Sequence, residues 1–402
     1  MTNLSSKTTT RAEHELLVRC LTPERTAENA ERIRDLVLQK LDWEYLFVFA
    51  RRHSVVSLLC SRLQETASNS VPPDEFKRLQ KYFQENAARN VLLSAELCRL
   101  IDLLKANEIE AIPYKGPALA LFAYGQVALR RFVDLDIMVR KEDVERAIEL
   151  LISQGYEPSK PLNESQRNVL LRTQHNVQFR RHNKQLIVEL HWEVASHLFA
   201  SSVQADDLWK KLVSIELNGR SVKTIAPEDL LFSLCVHGSR HLWERLLWIC
   251  DIGWIVANHD LDWQVLCARA RSTRTERMFL LGLHLAAKLL DTNLPGTVRK
   301  EIEADRALDD LAGDVIQTLF AQVDHVPATA AQIMKYNLRV RRTWWARARY
   351  FRQALRPTDR DLDGISLPGS LTFGYYVVRP FRLLRQTVGS LTDGSSNSRH
   401  EK

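Results

Sequence analysis

No apolar run in this 402-residue chain approaches the roughly 20 residues that a membrane-spanning helix needs, so no transmembrane segment is expected. The opening stretch MTNLSSKTTTRAEHE has no apolar core of the secretory kind and reads as a short frayed tail. Close cysteine pairs are missing as well. The six cysteines, Cys20, Cys60, Cys98, Cys235, Cys250 and Cys267, are scattered without a CxxC. That spacing argues against a disulfide framework and against a zinc knuckle. Thiols set among apolar residues behave as small hydrophobes, and a reducing cytoplasm is the expected compartment. No internal repeat stands out.

What is present is ordinary globular material: 45% hydrophobic and 26% charged residues, enough chain for two or three packed domains with a sizeable core. The net charge of +7 and pI of about 9.1 permit binding to nucleotide phosphates, polyanions or an anionic membrane surface without demanding any of them.

Apolar positions recur at helical spacing from about residue 11 to 68, as in Trp43, Leu46, Phe47 and Ala50. After the break at Ser70-Val71-Pro72-Pro73, Asp74 is placed to cap a long helix reaching Ala106. The pattern then changes. Ile109–Tyr114 reads as a strand, Lys115-Gly116-Pro117 breaks it, and Pro117 suits the first turn of a short helix ending at Tyr124-Gly125. Phe132–Arg140 alternates strictly, with Phe132, Asp134, Asp136 and Met138 on one face and Val133, Leu135, Ile137 and Val139 on the other. That is a strand with one buried face. Glu142–Gln154 is an amphipathic helix closed by Gly155, and strands follow at Asn176–Arg181 and Gln185–Trp192, joined through His182-Asn183-Lys184. A further hairpin spans Val213–Leu217 and Ser221–Ile225 around Asn218-Gly219, and from Pro227 to about Leu355 the chain reads helical. The expected organisation is a helical region over 1–107, an α/β domain over 108–225, a helical domain over 226–355, and a basic, aromatic segment with a polar tail over 356–402. The fold class is α+β, with a mixed sheet rather than a doubly wound parallel one.

Asp134 and Asp136 are two apart on a strand, so they share a face. Two such carboxylates repel unless a cation lies between them, and hard oxygen ligands suit Mg²⁺ or Mn²⁺. Glu189, mid-strand in Ile187-Val188-Glu189-Leu190-His191, can complete the set from a neighbouring strand. Such a trio supports phosphoryl or nucleotidyl transfer. The helix start after Gly116 offers backbone N–H groups to a phosphate, with Lys115 and Arg130 as nearby cations. The competing view of a lone DxD is a solvated strand face.

These elements resemble a known family. Pro113-Tyr114-Lys115-Gly116-Pro117-Ala118-Leu119-Ala120, Leu129-Arg130-Arg131-Phe132-Val133-Asp134-Leu135-Asp136, Gly155-Tyr156 and Glu189-Leu190-His191-Trp192 are similar to the uncharacterised nucleotidyltransferase family of the DNA polymerase β-like superfamily. The resemblance covers about residues 90 to 255. It implies a minimal nucleotidyltransferase sheet domain set between helical regions, an NTP donor, and a divalent ion held by Asp134, Asp136 and Glu189. Gly116-Pro117 stands where many superfamily members have Gly-Ser, and Val133 stands where a small polar residue is common before the first aspartate.

His237, His241, Glu244, Trp248 and Asp251 fall at helical spacing and are read as one face. That face either lines the cleft and holds acceptor or base, or fixes one domain on another, or binds zinc through His237, His241 and Glu244. His191 is read either as orienting a carboxylate or as a satisfied strand histidine. Arg339–Arg356 interleaves arginines with Trp344, Trp345, Tyr350 and Phe351, and Tyr375, Tyr376, Arg379, Phe381, Arg382 and Arg385 follow. This mix can grip nucleic acid or lie on a membrane surface, but arginine stems covering apolar surface are the favoured reading. The expected function is metal-dependent transfer of a nucleoside monophosphate from an NTP to a hydroxyl of a small-molecule or protein acceptor. The alternative is a non-catalytic nucleotide-binding scaffold, or a nucleic-acid or membrane-surface adaptor.

Overall fold

A computed structural model describes residues 11–160, 164–181, 186–193, 208–321 and 328–354. The turn expected at His182-Asn183-Lys184 and the segment 356–402, with its aromatic and arginine pairs, lie outside the described residues. Among the described residues no helix is long and apolar enough to cross a membrane.

The chain opens with α1 (Ala12–Leu21), α2 (Ala27–Val37), α3 (Trp43–Arg52), α4 (Val56–Thr66) and the long α5 (Pro73–Ala106). The break before α5 is as read, but its start is not: Pro72 occupies the cap, Pro73 the first turn, and Asp74 lies inside that turn. Proline is tolerated there because its missing N–H would have no helical partner, and Asp74 instead meets the positive end of the helix.

The mixed sheet follows: β1 (Ala111–Pro113), α6 (Pro117–Tyr124), β2 (Asp134–Val139), α7 (Val144–Ser153), β3 (Glu157–Pro158), α8 (Glu164–Thr173), β4 (Asn176–Arg181) and β5 (Leu186–His191). Its strand order is β1-β2-β5-β4-β3. β2 and β5 are parallel and the other pairs antiparallel. A separate hairpin, β6 (Val213–Leu217) and β7 (Arg220–Thr224), turns at Asn218 and Gly219, both at positive φ (53° and 72°), the geometry that an Asn-Gly pair favours. Then come α9 (Pro227–Arg240), α10 (Leu246–Asn258), α11 (Trp263–Ser272), α12 (Glu276–Leu290), α13 (Gly296–Glu303), α14 (Ala307–Ala321), α15 (Ala330–Arg339) and α16 (Trp344–Ala354). The protein is α+β, with a five-stranded mixed sheet.

Two apolar cores form. One face of β2 carries Leu135, Ile137 and Val139 into a core with Leu97, Leu100 and Leu104 of α5 and Ala147, Ile148 and Leu151 of α7. Phe132 joins this same core. The alternation therefore does not extend through Phe132 and Val133: the strand begins at Asp134, and Val133 is exposed. The opposite face of β2 is also covered, since Asp136 and Met138 are buried. The expectation of a single buried face is thus corrected. The second core is built jointly by α1 to α4 and α9 to α14, so the helices on either side of the sheet in sequence meet in space.

The α5 helix also sets the entry to β2. Asn90 Nδ2 donates to the carbonyls of Val127 and Arg130 at 2.6 and 2.8 Å, and Asn86 Nδ2 to that of Ala128 at 3.0 Å. The Arg89 guanidinium donates to the carbonyl of Phe132. Buried backbone acceptors need such partners, and here they fix the loop that delivers Asp134.

Candidate active site

The carboxylates meet because of strand register. Asp136 and Glu189 are direct neighbours across the parallel β2–β5 pair, and Asp134 is paired with Ile187 two positions earlier. Gly116 allows this approach: it sits at φ 54°, and a Cβ there would lie 3.2 Å from the Asp134 carbonyl oxygen. With ψ at −125° this is a conformation that glycine alone adopts readily, and holding a residue with a Cβ there costs about 1–3 kcal/mol before that contact is counted. Gly116 itself is buried.

His191, which closes β5, lies between the acids. Its Nε2 is 3.1 Å from Asp136 Oδ1 and 3.3 Å from Glu189 Oε2, and its Nδ1 is 3.2 Å from the Tyr114 hydroxyl. Asn176 and Gln178, alternate residues of β4, donate to the two oxygens of Glu189 at 3.0 and 3.4 Å. Lys115 Nζ stands 3.7 Å from Asp136 Oδ1. Among the described residues, Asp136, Glu189 and His191 are the one grouping of three His, Cys, Asp or Glu side chains whose ligand atoms lie within 4.8 Å of one another. The trio read from sequence had Asp134 in the place that His191 takes here.

Burial and crowding set the charges. Burial first, then repulsion from Asp136 and Glu189, push the Asp134 carboxyl up to about 6. Burial also works to raise Glu189, but the His191 hydrogen bond and charge, with Lys115, outweigh it and leave that carboxyl at about 2. His191 and Lys115 are buried too, which opposes their charge, yet both pKa values are raised, His191 by its hydrogen bonds to Asp136 and Glu189, Lys115 by Tyr114 and then by the two acids.

A cleft of about 460 Å³ opens over these groups. Lys115, Arg130, Asp134, Asp136, Glu189 and His191 line it, and His237, His241, Glu244 and Trp248 face them. Arg131, Arg240 and Arg245 add positive charge to the wall. Those three arginines, Tyr114 and the β4 amides were not singled out in the sequence. Alternation along Asn176-Val177-Gln178, which points both amides to one face, was the available signal.

Two expectations are corrected. The face from His237 to Asp251 is not one helix. α9 ends at Arg240, Leu242 and Trp243 take left-handed φ values of 53° and 57°, and α10 starts at Leu246. Gly238 makes room for the reversal, since a Cβ there would meet the Trp243 ring at 2.2 Å. Asp251, on α10, does not itself line the cleft. It is fully buried, and its two carboxylate oxygens receive Arg130 Nε and Nη2 at 2.9 and 3.0 Å, with Tyr124 Oη donating at 2.8 Å. Arg130 reaches the cleft wall with its fork already committed to Asp251. The zinc reading of His237, His241 and Glu244 has no support among the described residues, where they do not form a close grouping. His237 and His241 instead pack on each other with ring centroids 4.6 Å apart, and on Trp248 at 5.3 Å (edge-on) and 5.4 Å (tilted). Burial first, then Lys115 and Arg240 among other nearby positive groups, depress both imidazoles, His241 to about 4.

Part of the arginine-rich segment is likewise occupied. Arg339 pairs with Asp314, and Arg341 is buried against the Asn337 carbonyl at 2.7 Å, while Trp344 and Trp345 stack at 3.6 Å and stay exposed.

Beyond this geometry, the family model described as uncharacterised nucleotidyltransferase matches residues 39–291. The chain belongs to that family. Membership supports nucleotidyl transfer as the general chemistry and an NTP as substrate. No curated protein matches the sequence. A solved structure of an antigenic nucleotidyltransferase-like protein from Paracoccidioides brasiliensis is similar at 13% identity, covering 57% of this chain and 97% of that chain with a TM-score of 0.32.

Proposed function

We propose that the protein transfers a nucleoside monophosphate from an NTP to an acceptor hydroxyl, on a small molecule or a protein, and releases pyrophosphate. The observation that carries this reading is the register match of Asp136 with Glu189, with Asp134 beside them, at the floor of a cleft walled by cations. Converging carboxylates with oxygen donors suit Mg²⁺ or Mn²⁺, and Asp134, Asp136 and Glu189 are the residues proposed to hold it. When bound, such an ion neutralises triphosphate charge and favours the attacking hydroxylate.

The remaining steps fall to this chain's own groups. Lys115, with Arg131, Arg240 and Arg245, attracts and orients the triphosphate. Arg130 contributes by holding the cleft wall through Asp251 rather than by a free fork. His237, His241 and Trp248 offer an aromatic, weakly basic wall, its rings tilted or edge-on to one another, against which the acceptor or the nucleobase can pack. Incubation with labelled NTPs and Mg²⁺ or Mn²⁺ should release pyrophosphate. Asp134→Asn and Asp136→Asn should each lower that rate by on the order of a hundredfold or more. Variants as active as the wild type would remove the catalytic assignment; NTP binding by calorimetry without pyrophosphate release would favour the non-catalytic nucleotide-binding scaffold, and absence of any NTP binding the adaptor.

A further inference from the structure

We infer that His191 is a metal ligand, completing with Asp136 and Glu189 a one-nitrogen, two-carboxylate site that prefers a first-row transition dication to Mg²⁺. The inference rests on the metal-dependent reading above and deepens it. Neither the strand pattern nor the family match gives His191 this role.

The geometry begins with the number of hydrogens. A ring nitrogen carries at most one hydrogen, yet two carboxylates converge on Nε2, at 3.1 Å for Asp136 and 3.3 Å for Glu189. One N–H does not satisfy both well. An octahedral ion with ligand distances of about 2.1 Å places adjacent ligand atoms about 3.0 Å apart. The two separations from His191 are close to that spacing, and all three ligand atoms lie within 4.8 Å of one another, so the imidazole already stands at ligand distance from each carboxylate.

The ring is also oriented as a ligand would be. A ligating histidine usually donates its other ring N–H to a fixed partner, which sets tautomer and direction. Here Nδ1 is 3.2 Å from the Tyr114 hydroxyl, and both side chains are almost fully buried. The stacking of Tyr114 edge-on to His191, with centroids 5.1 Å apart, further limits rotation. Glu189 is anchored in turn by Asn176 and Gln178. Two of the three ligands, His191 and Glu189, are thus held from behind, and Asp136 is fixed by its place on β2 beside Glu189.

Donor chemistry then sets the preference. Mg²⁺ favours an all-oxygen octahedron with several waters. An imidazole nitrogen shifts the balance toward first-row transition ions. Asp134, two residues before Asp136 on β2, lines the same cleft and adds its carboxylate to the ion from outside the close trio.

The test is pulsed electron paramagnetic resonance on the full-length protein loaded with Mn²⁺. The spin-echo envelope should show ¹⁴N modulation, and ¹⁵N-histidine labelling should change it. Competition should show Mn²⁺ held at least about tenfold more tightly than Mg²⁺. His191→Gln should abolish the modulation, and Tyr114→Phe should keep it while weakening Mn²⁺ binding about tenfold. Wild-type protein that binds Mn²⁺ without ¹⁴N modulation overturns the inference and leaves the carboxylate-based reading intact. Protein that binds no Mn²⁺, with or without NTP, defeats both. The wild-type spectrum decides the matter even if a variant fails to fold.

Discussion

Asp251 has no access to water, and its charge is tolerable only because a bidentate guanidinium and a phenol hydroxyl meet it. Breaking such a pair from one side costs about 3–5 kcal/mol, because the surviving charge is left buried alone. Asp251→Leu is therefore expected to lower the urea midpoint strongly. Arg130→Lys should do so too, since an ammonium does not reproduce the two-pronged contact. If Arg130 served mainly as a nucleotide ligand, Arg130→Lys would instead weaken NTP binding and leave the midpoint in place, so the two measurements separate the roles. Gly116 offers a milder case. Gly116→Ala adds a Cβ to a residue at φ 54° and presses it toward the Asp134 carbonyl at 3.2 Å. A stability loss of about 1–3 kcal/mol is expected from the backbone conformation. Pyrophosphate release should fall by more than the unfolded fraction explains, because the displaced atom belongs to the residue that opens β2.

At the scale of elements, the reversal between α9 and α10 depends on a glycine inside a helix. Gly238→Ala would place a methyl group within 2.2 Å of Trp243, an indole with no exposed surface whose N–H donates to the Tyr336 hydroxyl at 3.1 Å. Overpacking of this kind costs about 1–3 kcal/mol. The expected signs are a lower thermal midpoint and a changed near-ultraviolet dichroism of the tryptophans; an unchanged near-ultraviolet signal would mean that Trp243 does not need the space. This turn also shows where the sequence stops being readable. Helical spacing through His237, His241 and Trp248 looked unbroken because Leu242 and Trp243 carry no turn signature, and their left-handed φ values are imposed by packing. Period-two alternation revealed β2, β4 and β5, and the Asn-Gly pair revealed the last hairpin. β3, two residues long, and α8, with little apolar stripe, were below what periodicity detects. The three acids were visible from residue type and spacing. The partner of Asp251 was not, because Arg130 is 121 positions away and only the folded chain joins them.

Across the whole molecule, the helices that precede the sheet and those that follow it share one core, and two histidines sit at their joint. His14 of α1 packs against Phe49 and Phe320 with centroids 4.7 and 5.0 Å apart, and contacts the Tyr45 hydroxyl at 2.6 Å. His53, at the end of α3, accepts the Leu246 N–H through Nδ1 at 3.3 Å, tying α3 to the start of α10. Burial is the main cause that lowers both pKa values, His14 to about 4 and His53 to about 3, with neighbouring arginines adding to it. The unfolded chain, with ordinary imidazoles near 6.5, therefore binds more protons than the folded one once the pH drops below that value. Stability from this source is complete above about pH 6.5 and is lost as the pH falls toward the folded values. Each histidine contributes a slope of roughly 1.4 kcal/mol per pH unit within that window. Urea unfolding followed from about pH 7 to about pH 5 should show the midpoint falling, before most carboxylates begin to titrate. His53→Gln keeps a polar group near the Leu246 amide and should flatten that dependence by about one histidine's share, even if its midpoint at neutral pH is lower. A His53→Gln slope equal to that of the wild type would show that this ring does not make the joint acid-sensitive; the comparison is needed because His237 and His241 add to the wild-type slope while Asp134 and His191 oppose it.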